Sequence, residues 1–318
     1  MANAALRVPH NPVIDEFVAL TKAAGDHLRA SVLRVLHHDS FGVLELCHIF
    51  SIAQPALSHH LKVLHNAGLV ARRREGNNIY YRRSPQKSHL LAEIFRTIDE
   101  ANLAPAIAKS VEEVHEQRRQ QSEAFFISNE DSLTTQQTLI CPSSAYTNSI
   151  IELWQHLKTD TQAAIEVGPG DGEVLETLAG LFEQVVGIDS SRTMLDKSSA
   201  KVSNLNNVRL IERDFSRLPR IRKYNFVVAA MVVHHLPSPG RFFQQAFGVL
   251  KPGGGLVVAE LCAHDNEWVQ TACGDLWLGF DTDDLNNWAV KAGFTPDAAQ
   301  FLAQKNGFRI QILSYTKD

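Results

Sequence analysis

A glycine-rich run and a downstream acidic residue have the types and spacing to hold a nucleotide-like ligand. The run IEVGPGDGEVLETL places Gly168, Gly170 and Gly172 between a predicted strand and a predicted helix. Glycines let the backbone turn sharply and let a ligand approach without a Cβ in the way. Asp189 ends the next predicted strand, where a carboxylate can accept hydrogen bonds from both ribose hydroxyls. These features predict a ribose-bearing ligand and, alone, do not exclude a dinucleotide.

A polar helix face has the side chains that read bases in DNA. The stretch QPALSHHLKVLHNAGL predicts a helix in which leucines line one face and Pro55 lies in the first turn. The opposite face carries Gln54, Ser58, His59 and Lys62. Short polar and basic groups of this kind fit the major groove, and we assign Gln54, Ser58 and His59 to base edges.

An arginine-rich hairpin follows that helix, in a chain whose formal net charge is −4. The stretch ARRREGNNIYYRR predicts two strands around a Gly76-Asn77-Asn78 turn. We assign its arginines mainly to DNA phosphates: Arg72, Arg73, Arg74 and Arg82. Two alternatives are a merely solvated face and a winged helix that serves only for dimerisation and as part of a catalytic lid.

A histidine pair follows another predicted strand, where a general base could lie. His234 and His235 could take a proton from an acceptor substrate, and packing is the alternative. Residues 263–280, AHDNEWVQTACGDLWLGF, mix aromatic and polar groups farther along. This stretch could form a substrate pocket, a lid or a contact with the predicted DNA-binding domain, and the sequence leaves all three open.

Composition and length limit the class of protein. A chain of 318 residues with 44% hydrophobic residues is long enough for two packed domains or one large α/β unit. We find no apolar run near the roughly 18 residues of a membrane span and no secretory leader, which predicts a cytoplasmic protein without membrane association. Four scattered cysteines lack metal-ligand spacing, so we expect reduced thiols and no metal site.

The pattern of elements predicts a small helical domain with a hairpin, followed by an α/β domain. Apolar strands alternate with helices from Tyr146 onward, which indicates a largely parallel sheet, and Asn306-Gly307 predicts a final antiparallel hairpin. Helices over 85–125 bury an apolar stripe that could serve as a dimer contact. The polar run from Gln117 to Gln137 reads as a connecting segment. We therefore expect domains at 1–100 and 141–318, with a helical linker at 101–140.

Residues 25–85 resemble the ArsR family of winged-helix repressors. The likeness rests on GDHLRASVLRVL, on VLELCHIFSIAQPALSHHLKVLHNAGLV and on RRREGNNIYYRRSP, in that order. It implies an α+β winged helix-turn-helix, a double-stranded DNA operator and a homodimer. Ala53 stands where the family often has a capping serine, and Gly42-Val43-Leu44 replaces the Cys-Val-Cys run of metal-sensing members. The second domain thus becomes the candidate sensor.

Residues 145–318 resemble class I S-adenosylmethionine-dependent methyltransferases. The motifs are E-x-G-x-G-x-G at 166–172, GIDSSRTML at 187–195, RDF at 213–215 and VLKPGGGLVVAEL, and together they exclude a dinucleotide. The resemblance implies a Rossmann-like, seven-stranded, mostly parallel sheet with an antiparallel last strand. It assigns Glu166, Gly168 and Gly170 to the methionyl part of the ligand, Asp189 to the ribose, Ser190 and Met194 to the adenine edge, Asp214 and Phe215 to the adenine amino group and ring, and Ala230 to the ligand amine.

The two resemblances together imply a regulator that senses an adenosyl ligand. ArsR-type proteins fused to methyltransferases include repressors of methionine-cycle genes that respond to S-adenosylhomocysteine. We therefore expect a transcriptional role and S-adenosylmethionine or S-adenosylhomocysteine as the ligand. Of the two ligands, S-adenosylhomocysteine is the expected effector. The alternative is an active small-molecule methyltransferase whose winged helix dimerises or covers the active site.

Overall fold

The computed structural model describes residues 11–76, 78–85, 88–129 and 140–318. The chain divides between Val114 and His115 into two units, each with its own core. This division falls inside the segment 101–140, for which the sequence predicts helices and a linker. The three-part organisation with domains at 1–100 and 141–318 stays a prediction.

The first unit is a winged helix-turn-helix. Its helices are α1 (Pro12–Ala24), α2 (His27–Val35), α3 (Val43–Phe50), α4 (Gln54–Asn66), α5 (His89–Asp99) and the first part of α6 (Pro105–Ser128). Its strands are β1 (Phe41–Gly42), β2 (Val70–Glu75) and β3 (Asn78–Arg83), which form an antiparallel sheet in the order β1–β3–β2. The predicted α+β fold is confirmed.

Helix α4 forms where its leucine spacing predicts it. Leu57, Leu61 and Leu64 are fully buried, and proline occupies the first turn. Ala53 precedes the helix and provides no side-chain cap, as the alanine in place of serine indicates. After the helix ends, Gly68 has a φ of 75°, a left-handed conformation that glycine adopts without strain.

The hairpin of β2 and β3 is tied to the helices by Arg83. Its guanidinium donates to the Leu33 carbonyl oxygen at 2.7 Å and to both carboxylate oxygens of Asp99, at 2.6 and 2.9 Å. It also lies over the Phe95 ring at 4.6 Å from the ring centroid. Arg83 is therefore a structural residue of the core. Asn77, at the predicted turn, lies outside the described residues.

The second unit is a doubly wound α/β fold. Its strands are β4 (Ala163–Val167), β5 (Gln184–Asp189), β6 (Val208–Glu212), β7 (Tyr224–Ala230), β8 (Leu250–Leu261), β9 (Thr295–Ala303) and β10 (Arg309–Thr316). Its helices include α7 (Ser144–Leu157), α8 (Glu173–Ala179), α9 (Arg192–Val202), α10 (Pro239–Val249), α11 (Trp268–Ala272) and α12 (Thr282–Ala292), and short 3₁₀ turns lie at Phe215–Arg217 and Val233–His235.

The sheet has the strand order β6–β5–β4–β7–β8–β10–β9. Strands β6, β5, β4, β7 and β8 are parallel, and β10 runs antiparallel to both of its neighbours. Every residue of β4 and β7 is buried, as expected for strands covered on both faces. The Rossmann-like, seven-stranded sheet with an antiparallel last strand is confirmed, and the carboxyl ends of β4, β5 and β7 meet at one edge.

Helix α6 extends farther than the sequence indicates. The predicted connecting segment begins at Gln117, yet the helix continues to Ser128. His115, Arg118 and Ser122 are buried in the second unit, so polar side chains of this helix pack inside the protein. Residues 130–139, the rest of that segment, lie outside the described part. Among the described residues, no helix combines the length and hydropathy of a bilayer span. All four cysteines are free.

Candidate functional site

A cavity of about 1010 Å³ lies in the second unit at the carboxyl ends of β4, β5 and β7. Open α/β sheets bind ligands at this edge, at the point where the strand order reverses. Both histidines His234 and His235 line the cavity. So do all the predicted cofactor residues except Gly172, namely Glu166, Gly168, Gly170, Asp189, Ser190, Met194, Asp214, Phe215 and Ala230. Their individual roles as ligand contacts stay predictions.

The glycine loop leaves no room for side chains at its first position. Gly168 has a φ of 67°, and an added Cβ there would lie 2.5 Å from Val232 Cγ2. Gly170 is also left-handed, with a φ of 53°, but has open space at its Cβ position. Gly172 precedes α8 and packs against the Ser198 backbone. The first two glycines shape the cavity wall, and the third turns the chain into the helix.

Asp189 presents its carboxylate to the cavity at the end of β5. Its Oδ1 accepts the Ser191 amide at 2.8 Å, which fixes the side chain next to the strand end. Burial raises the pKa of Asp189 to about 6, although the amides of Ser191 and Ser190 lower it. A hydroxyl pair that donates to this carboxylate would favour its charged form.

Glu166 is a second cavity carboxylate, and it is more deeply buried. It is 2% exposed, and its Oε2 has no hydrogen-bond partner among the described residues. Burial, with a smaller effect from nearby Asp171, raises the pKa of Glu166 well above its usual range. A buried carboxyl group with an unsatisfied oxygen favours the approach of a donor or a cation.

Asp214 and Phe215 border another part of the cavity. Asp214 Oδ1 accepts the Ser216 amide at 2.8 Å, and its Oδ2 lies 3.8 Å from Arg119 Nε. Phe215 is buried, and its ring centroid lies 5.7 Å from that of Phe242. An aromatic ring beside a hydrogen-bonding carboxylate is a suitable surface for a flat, amine-bearing heterocycle.

The histidine pair belongs to a buried polar cluster. His234 Nδ1 lies 2.5 Å from Glu260 Oε1, and His234 Nε2 lies 3.8 Å from Asp275 Oδ1. Burial lowers the pKa of His234, but the carboxylates of Glu260 and Asp275 outweigh it and raise the pKa to about 9. His235 is different, because burial and then the charge of His234 lower its pKa well below the usual range. The two histidines are therefore not interchangeable as bases.

The second part of α6 forms a wall of the cavity through Arg119, Ser122, Glu123, Phe126 and Ile127. Arg118 holds this wall in place, since its Nη1 donates to the Pro237 carbonyl oxygen at 2.9 Å and its guanidinium lies 4.6 Å from the Trp277 ring centroid. The Phe126 ring packs edge-on against His235, with centroids 5.0 Å apart. The sequence did not predict these residues as part of a site, because the helix is polar along most of its length.

Residues 263–280 divide between structural and cavity roles. Cys273 and Asp275 line the cavity. Trp277 is buried and donates its indole N–H to the Leu236 carbonyl oxygen at 2.9 Å, and Phe280 is buried in the core. Trp268 is 42% exposed. Part of the stretch thus contributes to the pocket, one of the three alternatives open from the sequence.

In the first unit, the predicted DNA-contacting residues differ in exposure. The exposed ones are Gln54, Ser58, His59, Lys62, Arg72 and Arg74, whereas Arg73 and Arg82 are half-buried. Arg73 pairs with the buried Glu75 on its own strand. Because successive residues of a strand point to opposite faces, Arg72 and Arg74 share one face of the wing and Arg73 lies on the other. Arg72 and Arg74 are the arginines most available to a phosphate.

The family comparisons agree with both units. Residues 26–72 match the family described as "Bacterial regulatory protein, arsR family", and residues 165–258 match the family described as "Methyltransferase domain". The chain joins an ArsR-family helix-turn-helix domain to a methyltransferase domain. The helix-turn-helix match covers α2 to the start of β2, and the methyltransferase match covers β4 to most of β8.

Relatives of the methyltransferase domain act in different reactions. The chain is 33% identical over 139 residues to 2-methyl-6-phytyl-1,4-hydroquinone methyltransferase 1, chloroplastic, of Oryza sativa subsp. japonica, a match that covers 41% of this chain and 40% of the relative. It is 30% identical over 100 residues to a ubiquinone biosynthesis O-methyltransferase of Rhodopseudomonas palustris (strain BisB18), covering 30% and 39%. The chain therefore spans less than half the length of these relatives.

A solved structure supports the fold. The crystal structure of Burkholderia thailandensis 1,6-didemethyltoxoflavin-N1-methyltransferase, with bound 1,6-didemethyltoxoflavin and S-adenosylhomocysteine, superposes with a TM-score of 0.53 at 16% identity. The match covers 69% of this chain and 93% of that one. At this identity the likeness establishes the methyltransferase fold and not the substrate.

Proposed function

We propose that this protein is a DNA-binding transcriptional regulator whose methyltransferase domain binds S-adenosylmethionine or S-adenosylhomocysteine as its effector. The observation that carries the proposal is the pairing of two surfaces in one chain. The helix-turn-helix domain exposes Arg72, Arg74 and the polar face of α4, and the methyltransferase domain holds a cavity with Asp189 at the end of β5. We place the regulator in the cytoplasm, as a homodimer on a double-stranded operator.

An adenosyl ligand would contact the cavity at three places. Asp189 can accept the two ribose hydroxyls, and Asp214 and Phe215 can hold the adenine amino group and ring. Glu166, with its unsatisfied Oε2, can accept the methionyl ammonium group. S-adenosylmethionine in this cavity would supply an activated methyl group on its sulfonium.

DNA would meet the helix-turn-helix domain through α4 and the wing. Ser58 and His59 would contact base edges, and their exposure on α4, opposite its buried leucines, supports this role. Arg72 and Arg74 would contact phosphates beside the groove. Arg73 is less suited to this role than its neighbours, because its pairing with the buried Glu75 would have to break.

We assign the coupling between ligand and DNA to helix α6. Val111 and Val114 of this helix lie in the core of the helix-turn-helix domain. Farther along the same helix, Arg119, Ser122 and Phe126 line the cavity of the methyltransferase domain. A ligand that favours one position of these cavity residues can bias the whole helix, provided that it binds the two states with different affinity.

The test is DNA affinity measured with each ligand. A duplex that the protein selects from a random pool would be titrated by fluorescence anisotropy with no ligand, with S-adenosylmethionine and with S-adenosylhomocysteine. We expect one ligand, S-adenosylhomocysteine by resemblance, to change the affinity by about 5- to 150-fold, the usual range of allosteric coupling. Equal affinity in all three conditions would contradict the effector role, and absence of any selected duplex would contradict the DNA-binding role.

Methyl transfer to a small molecule is a second candidate function. The observation in its favour is that both His234 and His235 line the cavity, because a neutral histidine there can take a proton from the group of the substrate that receives the methyl. Incubation of the protein with methyl-labelled S-adenosylmethionine and a cell extract would test it. A labelled small-molecule product that the wild type forms and the His234→Ala variant does not form would support an enzyme. If the wild type forms no labelled product, only the sensor role remains.

A further inference from the structure

Three side chains of types that ligate metal ions lie close together in the wall of the cavity. His234 and His235 follow β7, and Asp275 lies in the loop after α11. Each offers one ligand atom, and these atoms lie within 4.8 Å of one another. All three side chains are buried and line the cavity. The spacing along the chain did not predict this group, because 39 residues lie between the second histidine and the aspartate.

The carboxylate of Asp275 is buried without the hydrogen bonds that usually accompany the burial of a charged group. Asp275 is 3% exposed, and neither of its oxygens has a hydrogen-bond partner among the described residues. The imidazole nitrogens that approach it are His234 Nε2 and His235 Nδ1, each 3.8 Å from Oδ1, which is too long for a hydrogen bond. A buried carboxylate in such a position is stabilised by a bound cation.

Glu260 holds His234 through Nδ1, the kind of contact that orients histidines bound to metals. The Glu260 carboxylate accepts the amides of Leu261 at 2.7 Å and His234 at 3.1 Å, which fixes it on β8. Its Oε1 lies 2.5 Å from His234 Nδ1. With the proton on Nδ1, the Nε2 lone pair points toward Asp275. A carboxylate that holds the far nitrogen of a ligating histidine is the usual outer partner at metal sites.

We propose that His234, His235 and Asp275 bind a divalent transition metal at the floor of this cavity, with Glu260 as the residue that positions His234. Two imidazoles and one carboxylate suit zinc or iron(II) and disfavour magnesium, which prefers oxygen ligands. Three protein ligands would leave at least one position open, and all three residues line the cavity. It would take an oxygen, nitrogen or sulfur donor of a small molecule.

The alternative is a metal-free ion cluster, in which protonated His234 lies between Glu260 and Asp275. Protonated His234 offsets one of the two carboxylate charges, whereas a divalent metal bound by neutral His234 offsets both, so a metal titration distinguishes the two arrangements. The proposal does not depend on the adenosyl ligand, since the metal can be titrated without it.

Cobalt(II) is the probe, because its visible absorption reports the number and type of ligands. The full-length protein, stripped with a chelator, would be titrated with Co²⁺ and then with Zn²⁺ in competition, and with Mg²⁺ separately. We expect one Co²⁺ per chain, displacement by Zn²⁺ and no change with Mg²⁺. Asp275→Asn and His235→Ala should abolish the absorption, and Glu260→Gln should weaken binding by about 10- to 100-fold. The exposed His156→Ala serves as the matched control and should bind normally.

Three results would overturn the proposal: no stoichiometric Co²⁺ in the wild-type chain, unchanged Co²⁺ affinity in Asp275→Asn, or an equal loss in His156→Ala. Circular dichroism and S-adenosylhomocysteine calorimetry on each variant check the fold. If Asp275→Asn does not fold, Glu260→Gln decides, because an unchanged affinity in that variant would contradict the positioning of His234.

Discussion

The wing and the cavity hold their charged groups in opposite ways. On the wing, Arg72 and Arg74 are exposed, and strand alternation alone places them on one face. In the cavity, Glu166 and Asp275 are buried, and each has carboxylate oxygens without a hydrogen-bond partner in the described residues. Water solvates an exposed guanidinium fully, whereas a buried carboxylate without partners is unfavourable until something binds it.

This difference separates two kinds of recognition. The wing can bind any closely spaced row of phosphates, because its attraction is electrostatic and tolerant of position. The cavity requires a ligand whose donors and cationic groups fall where the carboxylates lie. Loss of a wing arginine should therefore change affinity gradually and for all DNA sequences, whereas loss of one cavity carboxylate should affect one ligand strongly.

The largest effect is expected at Asp189. Replacement by alanine removes the acceptor for two ribose hydroxyls, and hydrogen bonds to a charged group contribute about 1.5–3 kcal/mol each. We expect S-adenosylhomocysteine affinity to fall at least about tenfold for one lost bond and more than about a hundredfold if both bonds are lost. Isothermal titration calorimetry measures this change. The control is Ala in place of the exposed Asp160, which should bind the ligand normally. NADH should not bind the wild type or the Asp189→Ala variant. Equal S-adenosylhomocysteine affinity in the wild type and in Asp189→Ala would show that this carboxylate is not part of the ligand site.

The helix face should affect specificity and not general affinity. Ser58→Ala and His59→Ala each remove a group assigned to base edges, and one specific contact contributes about 1–3 kcal/mol of discrimination. Selection from a random duplex pool should then return a more degenerate sequence at the contacted position. The exposed His89→Ala, outside α4, should select the same duplex as the wild type. An unchanged selected sequence in both α4 variants would refute the assignment.

The wing arginines should set the salt dependence. Because Arg72 and Arg74 are exposed, the double alanine variant should keep its fold and lower the salt slope by about two, which amounts to roughly a tenfold smaller loss of affinity between about 50 and 200 mM salt. Anisotropy titrations at several salt concentrations measure the slope. A double variant of the exposed Lys109 and Arg96 is the matched control, and an unchanged slope in the wing variant would exclude phosphate contacts there.

The smallest effect concerns pH. The ribose hydroxyls need ionised Asp189, whose pKa in the ligand-free protein is raised to about 6. Protonation must therefore weaken binding as the pH falls through 6, by about tenfold between pH 7 and pH 5. Glu166 also titrates in the cavity, so Asp189→Asn is the reference, and its affinity should change less over this range. Equal pH profiles of the two proteins would show that Asp189 does not control binding.

Sequence patterns predicted the helices and strands well where a local pattern, such as leucine spacing or a turn sequence, determines the structure. The α4 helix, the two strands of the wing and the mostly parallel methyltransferase sheet with its antiparallel last strand follow from leucine spacing, turn residues and the family motifs. The glycine loop and Asp189 were also found in this way, since both lie at the end of a strand. Contacts between neighbours along the chain are what such patterns record.

The remaining features depend on contacts between distant residues. Arg118 and Ser122 read as parts of a polar segment but are buried, because the second part of α6 packs in the methyltransferase domain. Arg73 looks equivalent to Arg72, yet pairing with Glu75 separates them. Glu260 and His234 meet because β7 and β8 are parallel neighbours in the sheet, with Ala230 opposite Ala259. The contact between Glu260 and His234 could be inferred from the strand order, whereas Asp275 reaches these two residues from an irregular loop.

We propose above that the adenosyl ligand and the DNA operator influence one another's binding through a single chain. Coupling free energies are reciprocal, so the factor by which S-adenosylhomocysteine changes operator affinity must equal the factor by which the operator changes S-adenosylhomocysteine affinity. Calorimetry of the ligand with and without saturating selected duplex measures the second factor directly. We predict a change of about 5- to 150-fold, equal to that from the DNA titration, and its loss in Asp189→Ala. The same ligand affinity with and without the operator would contradict the account.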